Sequence, residues 1–257
     1  MTLQTLVSGV QLNIATIASQ MNLDSDAVII NQTDHFGYEE SEYRGHKIRC
    51  FEFNERGVGL SRNNALMRAT ADILLFSDED IVYDDGYSGK VLEAYERYPD
   101  ADMILFNIEV APERATYHID KVTRVHRYNC GRYPTYSFSC RREMIHRANV
   151  TFSLLFGGGA RYGSGEDSLF IDECIKKGLK VYAVPIGLGR ETVRQSTWFN
   201  GYNEKFFYDR GALFKYLHRH MAHLMAFVYV FKKRKWMLDD LSFKEALASM
   251  LRGIKEG

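Results

Sequence analysis

Over the first 110 residues, short apolar runs alternate with stretches whose apolar positions recur at helical spacing. Leu3 to Val7 is a short apolar run broken by Ser8-Gly9, and Leu12 to Met21 has the spacing of a helix, which together predict strand, turn and helix. The strand signal returns at Asp26 to Asn31, where Ala27-Val28-Ile29-Ile30 is a continuous run of the kind buried on both faces of a parallel sheet. Polar residues fill the chain up to Lys47, and Lys47 to Phe53 alternates as a third strand. Ser61 to Ala71 predicts a helix with Ser61 as its N-cap, and Ile73 to Phe76 predicts a fourth strand leading straight into Ser77-Asp78-Glu79-Asp80. A helix over Tyr87 to Tyr98 and a strand over Asp102 to Glu109 follow. Ala111 to Phe156 is irregular and rich in basic and aromatic residues. Glycines at 157–159, 163 and 165 then precede a helix from about Glu166 to Lys177 and a strand from Lys180 to Val184. Such βα alternation predicts an α/β fold built on a mostly parallel sheet with helices on both faces, in which ligands bind outside the carboxyl ends of the strands. Asp78 to Asp80 stand at one of those ends.

Length and composition narrow the classes. At 257 residues the chain holds one sizeable domain, and 46% hydrophobic with 26% charged residues is the balance of a soluble globule. Thirty-three basic residues cancel 33 acidic ones, which removes the global electrostatic reason to expect a nucleic-acid partner. Cys50, Cys130, Cys140 and Cys174 lie far apart with no C-x-x-C spacing and are expected to be reduced, structural thiols. The N-terminal residues lack the basic start and apolar middle of a signal peptide, so a cytoplasmic location is expected.

Asp78-Glu79-Asp80 is a D-x-D arrangement after an apolar strand. Alternate carboxylates there suit a hard divalent cation shared with phosphate oxygens; taken by itself, the tripeptide reads equally as a solvated acidic turn. Its context is Asn54-Glu55-Arg56-Gly57-Val58-Gly59-Leu60-Ser61-Arg62-Asn63, then a helix, then the strand and the acids. In this order and spacing the sequence resembles bacterial family-2 glycosyltransferases of the capsular and surface-polysaccharide type, whose nucleotide-sugar domain carries an N-x-G-x-x-x-A-R-N-like segment ahead of D-x-D. Asn54, Gly57, Arg62 and Asn63 stand at matching places, with Ser61 where alanine is common.

The resemblance implies a GT-A (Rossmann-like) fold and an inverting enzyme using Mg²⁺ or Mn²⁺. By it, Asp78 approaches the nucleotide and shares with Asp80 the metal on the diphosphate. Ser8, Gly9, Gln32, Arg56, Arg62, Asn63 and Glu79 complete the donor site, with Thr33 and Asp34 as further base contacts. Arg62 has a second reading, a structural salt bridge with an acid such as Asp78. The family commonly has a proline-threonine-tyrosine-like turn after its first strand; Ser8-Gly9-Val10-Gln11 departs from it.

Glu166 and Asp167 open a helix after the glycines, which by itself is a well-started helix. The resemblance makes this the acceptor site, with Asp167 as general base and Glu166 orienting the acceptor. The aromatic-rich stretch from Gln195 to Tyr208 suits a loop that stacks on a sugar, and Arg194, Trp198 and Lys205 are candidate diphosphate or acceptor contacts. The implied donor is a UDP-hexose or UDP-N-acetylhexosamine, ahead of dTDP-rhamnose. The implied acceptor is a glycan or polyprenyl-diphosphate-linked glycan.

Residues 1–210 are read as the GT-A domain and 211–257 as a helical extension. Gly211 to Trp236 has the pattern of one amphipathic basic helix ending in Lys232-Lys233-Arg234-Lys235-Trp236. Its apolar piece, Leu224 to Phe231, is far shorter than the roughly 18 residues a span needs. It suits peripheral contact with the inner face of the plasma membrane, packing on its own domain, or a homo-oligomer. A rival from another class is a non-catalytic glycan-binding or membrane-recruiting protein on the same fold, against which Asp78, Asp80 and Asp167 speak. A nucleotidyltransferase lacks its early arginine-bearing glycine loop here, and a dinucleotide-binding oxidoreductase its G-x-G-x-x-G.

Overall fold

The computed structural model describes residues 1–112, 115, 117–192, 201–237 and 241–257. Its sheet begins with β1 (Leu3–Val10), buried along nearly all its length, and continues after α1 (Ile14–Gln20) with β2 (Asp26–Gln32), parallel to β1. β3 (Gly37–Tyr43) and β4 (His46–Phe53) form a hairpin, and β4 adds parallel to β2. After α2 (Val58–Arg68), β5 (Ile73–Asp78) pairs with the other side of β1 and brings Asp78 opposite Ser8. β6 (Ile81–Tyr83), α3 (Tyr87–Arg97), β7 (Met103–Glu109), β8 (Thr123–Arg124) and β9 (Phe138–Arg141) follow. Then come α4 (Arg142–Ala148), α5 (Glu166–Lys176) and β10 (Val181–Glu191). Across the sheet the order is β3-β4-β2-β1-β5-β9-β7-β10-β6. The long strands β4, β2, β1, β5, β7 and β10 run in one direction, so their carboxyl ends share an edge.

Four strands escape the reading of the sequence: β3, β9 and the very short β6 and β8, of three and two residues. β3, Gly-Tyr-Glu-Glu-Ser-Glu-Tyr, has no buried position and lies at the sheet edge, where charges block further pairing; a strand with no inward apolar side leaves no hydrophobic alternation to detect. β9 has only four residues and enters antiparallel between β5 and β7, inside the stretch that reads as irregular.

Helices cover both faces, as expected from alternating strands. Leu6, Val28, Phe76, Phe152 and Phe170 belong to one core, and Val7, Ile29, Leu75, Tyr87 and Tyr95 to the other. The four cysteines are free and buried, and burial pushes the thiols of Cys50 and Cys130 up to about 12, which leaves them protonated and inert.

α2 starts at Val58, not at Ser61. Gly57 is its N-cap at φ +132°, a conformation glycine adopts without strain, and the helix entrance is held by main chain rather than by a hydroxyl. Gly57 N donates to Gln32 Oε1 at 2.7 Å and Val58 N to Gly158 O at 2.9 Å. Ser61 is buried inside the helix, its Oγ without a partner.

The C-terminal segment is also revised. In place of one helix from Gly211 to Trp236 there are α6 (Glu204–His218) and α7 (Ala222–Met237), broken at Arg219, whose φ of +45° is left-handed, followed by α8 (Phe243–Glu256). Residue 210 lies inside α6. α6 and α8 touch backbone to backbone: a Cβ on Gly211 would lie 2.0 Å from Met250 O. α6 is tied to the sheet domain by Asp209 Oδ2, which accepts from Gly163 N at 2.9 Å, and by Leu217 O, which accepts from Arg127 Nη2 at 3.0 Å. Among the described residues no helix is long and apolar enough to cross a membrane.

Candidate active site

At the carboxyl edge the ends of β1 and β5 lie side by side. Ser8 faces Asp78 in register, and a Cβ on Gly9 would lie 2.5 Å from Glu79 Oε2, so the Glu79 carboxylate packs directly on the glycine. Ser8 Oγ is buried and has no hydrogen-bond partner, an unsatisfied polar atom beside the acids. Ser8, Gly9, Asp78 and Glu79, separated by some 70 residues of chain, are thus brought together by parallel pairing.

Arg62 reaches the same edge from α2. It is 5% exposed, and its guanidinium carbon lies 5.5 Å from the centroid of the Phe152 ring. Nη2 donates to Asp78 Oδ1 at 3.0 Å; Nη1 donates to Glu166 Oε1 at 2.9 Å and lies 3.4 Å from Asp167 Oδ1. Of the two roles open to Arg62, the structure therefore shows the salt bridge, and its partners include the acids at the start of α5. Burial opposes the charge on Arg62, but the carboxylates of Asp78, Asp167 and Glu166 outweigh it and hold the guanidinium protonated even more firmly than usual. One cation thus meets three carboxylates, leaving local negative charge beside the strand ends.

Asp167 is held on its other side by Thr135, in the single 3₁₀ turn after Pro134, whose Oγ1 donates to Asp167 Oδ1. Burial raises the Asp167 pKa well above the carboxylate norm, and the adjacent Glu166 charge adds to it, while Arg62 and the Thr135 hydroxyl pull it back. A carboxylate displaced upward is a better proton acceptor, as a general base requires. Thr135 went unseen in the sequence because one turn of 3₁₀ helix leaves no periodicity.

Other predicted residues take supporting places. Asn63 Nδ2 donates to Phe152 O at 2.9 Å and Asn63 Oδ1 accepts from Phe152 N at 2.8 Å, so its amide fastens α2 to the segment before the glycines. Gln32 carries the Gly57 N–H, and Arg56 Nη1 donates to the main-chain oxygens of Thr33 and Glu55. Thr33 Oγ1 donates to His35 O at 2.8 Å, and Asp34 pairs with His35. Asp80 O accepts from Thr192 N at 2.7 Å, which ties the acidic turn to the end of β10. Lys205 lies on α6 with Nζ 2.6 Å from Asp209 Oδ2 and 3.3 Å from Arg161 O. Arg194 and Trp198 lie outside the described residues.

Among the described residues no group of three or more His, Cys, Asp or Glu side chains forms a metal cage. One or two carboxylates at a strand end can complete a cation otherwise ligated by phosphate and water oxygens, and Asp78 and Asp80 are the candidates for such a place.

The parallel edge, the acids ending β5 and the helix start that faces them define a glycosyltransferase of GT-A fold. Residues 14–152, more than half of the chain, match the glycosyl transferase family 2 model, and the protein belongs to that family. Asp167 and Glu166 lie beyond the matched residues. Among solved structures the chain is similar to Staphylococcus aureus TarS 1-349, at 12% identity and a TM-score of 0.63, covering 99% of this chain and 81% of that one. The same fragment in complex with UDP-GlcNAc gives 13%, 0.62, 99% and 82%, and S. aureus TarS gives 13%, 0.63, 100% and 50%. At these identities the likeness is one of fold. A comparison with curated proteins finds no match.

Proposed function

We propose that the protein is an inverting glycosyltransferase that moves a hexose or N-acetylhexosamine from a UDP-sugar to a hydroxyl of a glycan or polyprenyl-diphosphate-linked glycan during bacterial surface-polysaccharide synthesis. The observation that carries this reading is Arg62, which joins the acid ending β5 to the acids opening α5 and so sets a donor edge against a candidate base. A UDP donor is favoured because one structure of similar fold is a complex with UDP-GlcNAc.

In this reading the nucleotide lies along Ser8, Gly9, Gln32, Arg56, Asp78 and Glu79, and the Ser8 hydroxyl gains its missing partner. Asp80, with Asp78, holds Mg²⁺ or Mn²⁺. When bound, the cation neutralises charge on the diphosphate leaving group. Asp167 removes the proton from the acceptor hydroxyl as that oxygen attacks the anomeric carbon; the bond to the diphosphate oxygen breaks, and the single displacement inverts the centre. Glu166 orients the acceptor, and Lys205, with Arg194 and Trp198, supplies diphosphate or acceptor contacts. The sheet domain serves as the catalytic unit, and α6 to α8, into the first of which residue 210 falls, meet either the inner face of the plasma membrane or a second subunit.

The test is release of UDP from UDP-GlcNAc, UDP-glucose and UDP-galactose with Mn²⁺ present, with and without lipid-linked glycan acceptor. Acceptor-dependent release with one donor supports the reading. Release from none of them, together with no UDP binding, overturns the donor assignment.

A further inference from the structure

α7 is apolar on two sides. Ala222, Ala226 and Val230 face inward among Phe207, Phe214, Ala246 and Met250. Leu224, Phe227 and Phe231, with Met221 in the turn just before the helix, are 47–53% exposed. Their spacing puts them on one ridge, where the Phe227 and Phe231 rings stack at 6.2 Å between centroids and the Arg234 guanidinium sits 4.0 Å from the centroid of Phe231. This differs from the sequence reading, which placed Leu213 and Leu217 on the same apolar stripe; the break at Arg219 turns those two inward. A helix that is apolar all round is ordinarily covered all round, and the bundle covers one side.

The charge along α7 and the turn before it is of one sign, although Glu245 opens α8 beside Phe243, whose ring meets Phe227. From Arg210 to Met237 there is no Asp or Glu, while Lys232, Arg234 and Lys235 are exposed at one end of α7 and Arg219, His220 and His223 at the other. A second copy related by a two-fold axis would set this cationic rim against its own image. A sheet of phosphates would not repel it.

We infer that the Met221–Leu224–Phe227–Phe231 ridge docks on an anionic lipid bilayer with α7 lying in the plane of the surface, its phenylalanines at the headgroup boundary and its cations on lipid phosphates. This deepens the proposed membrane contact by naming the surface, and it rests on that location alone, not on the donor, metal or base assignments.

The experiment is co-sedimentation of the full chain with phosphatidylcholine vesicles, with and without a one-third share of phosphatidylglycerol, alongside light scattering of the free protein. The chain is expected to bind the anionic vesicles, to leave them in high salt, and to bind neutral vesicles poorly. Leu224→Ser with Phe231→Ser should abolish binding. Lys232→Gln with Lys235→Gln, changes at exposed positions, should weaken it roughly 30-fold, taking about 1 kcal/mol per cation at the surface. UDP binding measured on the same variants should not change, which separates failure of this inference from failure of the catalytic reading. No binding to anionic vesicles, binding indifferent to both variant pairs, or a two-chain mass that falls to one chain in the Leu224→Ser/Phe231→Ser variant would overturn it.

Discussion

Arg62 Nη1 on α2 lies 3.4 Å from Asp167 Oδ1 on α5, a contact across 105 residues that couples the donor edge to the candidate base. Thr135 also donates to Oδ1, so in the proposed reading Arg62 and Thr135 together position the base. The consequence is a division of labour. Asp167→Asn should lower transfer by roughly 10²–10⁴-fold while leaving UDP affinity near that of the parent. Steady-state rates and calorimetric UDP binding on the same preparation check this; equal loss of both would remove Asp167 from the base role.

The pH dependence follows from the same carboxyl. Its folded pKa is raised, so the ionised, proton-accepting form is lost as pH falls through a value above the ordinary carboxylate range, and kcat should decline on that acid limb. The Thr135 hydroxyl lowers the pKa, so Thr135→Val should move the limb to higher pH and Thr135→Ser should return it. An unshifted limb in the valine variant would make Thr135 a structural residue only.

Arg62 is almost wholly buried, and removing it leaves Asp78, Glu166 and Asp167 to repel one another. Asp78 and Asp167 keep some solvent, which reduces the cost. Arg62→Met should destabilise the fold by about 3 kcal/mol, read as a fall in melting temperature of roughly 6–12 °C. Stability equal to the parent would mean that the bridge contributes nothing.

For Asn63 the structure and the family resemblance give different expectations. Both ends of its amide are bonded to Phe152, so Asn63→Ala should cost on the order of 1–3 kcal/mol of stability, measured by urea unfolding, with UDP affinity preserved in the folded fraction. Lost affinity at unchanged stability would return Asn63 to the donor site.

Much of this architecture is readable from residue pattern, and the exceptions have physical causes. β2 and β5 hold continuous apolar runs, β1 a short apolar stretch, and α3 has a clear period, so their places and the position of Asp78 at a strand end follow from the chain itself. Ser61 looks like an N-cap because hydroxyls usually cap helices; here Gly57 and the carbonyl of Gly158 open the helix three residues earlier. The break at Arg219 carries no glycine or proline to announce it, so α6 and α7 read as one helix. The convergence of Arg62, Thr135 and the α5 acids is tertiary, and the sequence suggests only one of the contacts, Arg62 with Asp78.

The central claim is that the acids ending β5 hold a metal-dependent nucleotide. It is tested most directly by calorimetric titration of UDP, dTDP and GDP into the parent chain and Asp80→Ala, each with Mn²⁺ and with EDTA. UDP should bind the parent with Mn²⁺, with binding much weakened by EDTA or by Asp80→Ala. Binding of UDP that is indifferent to both the metal and Asp80, or no nucleotide binding at all, would contradict the account.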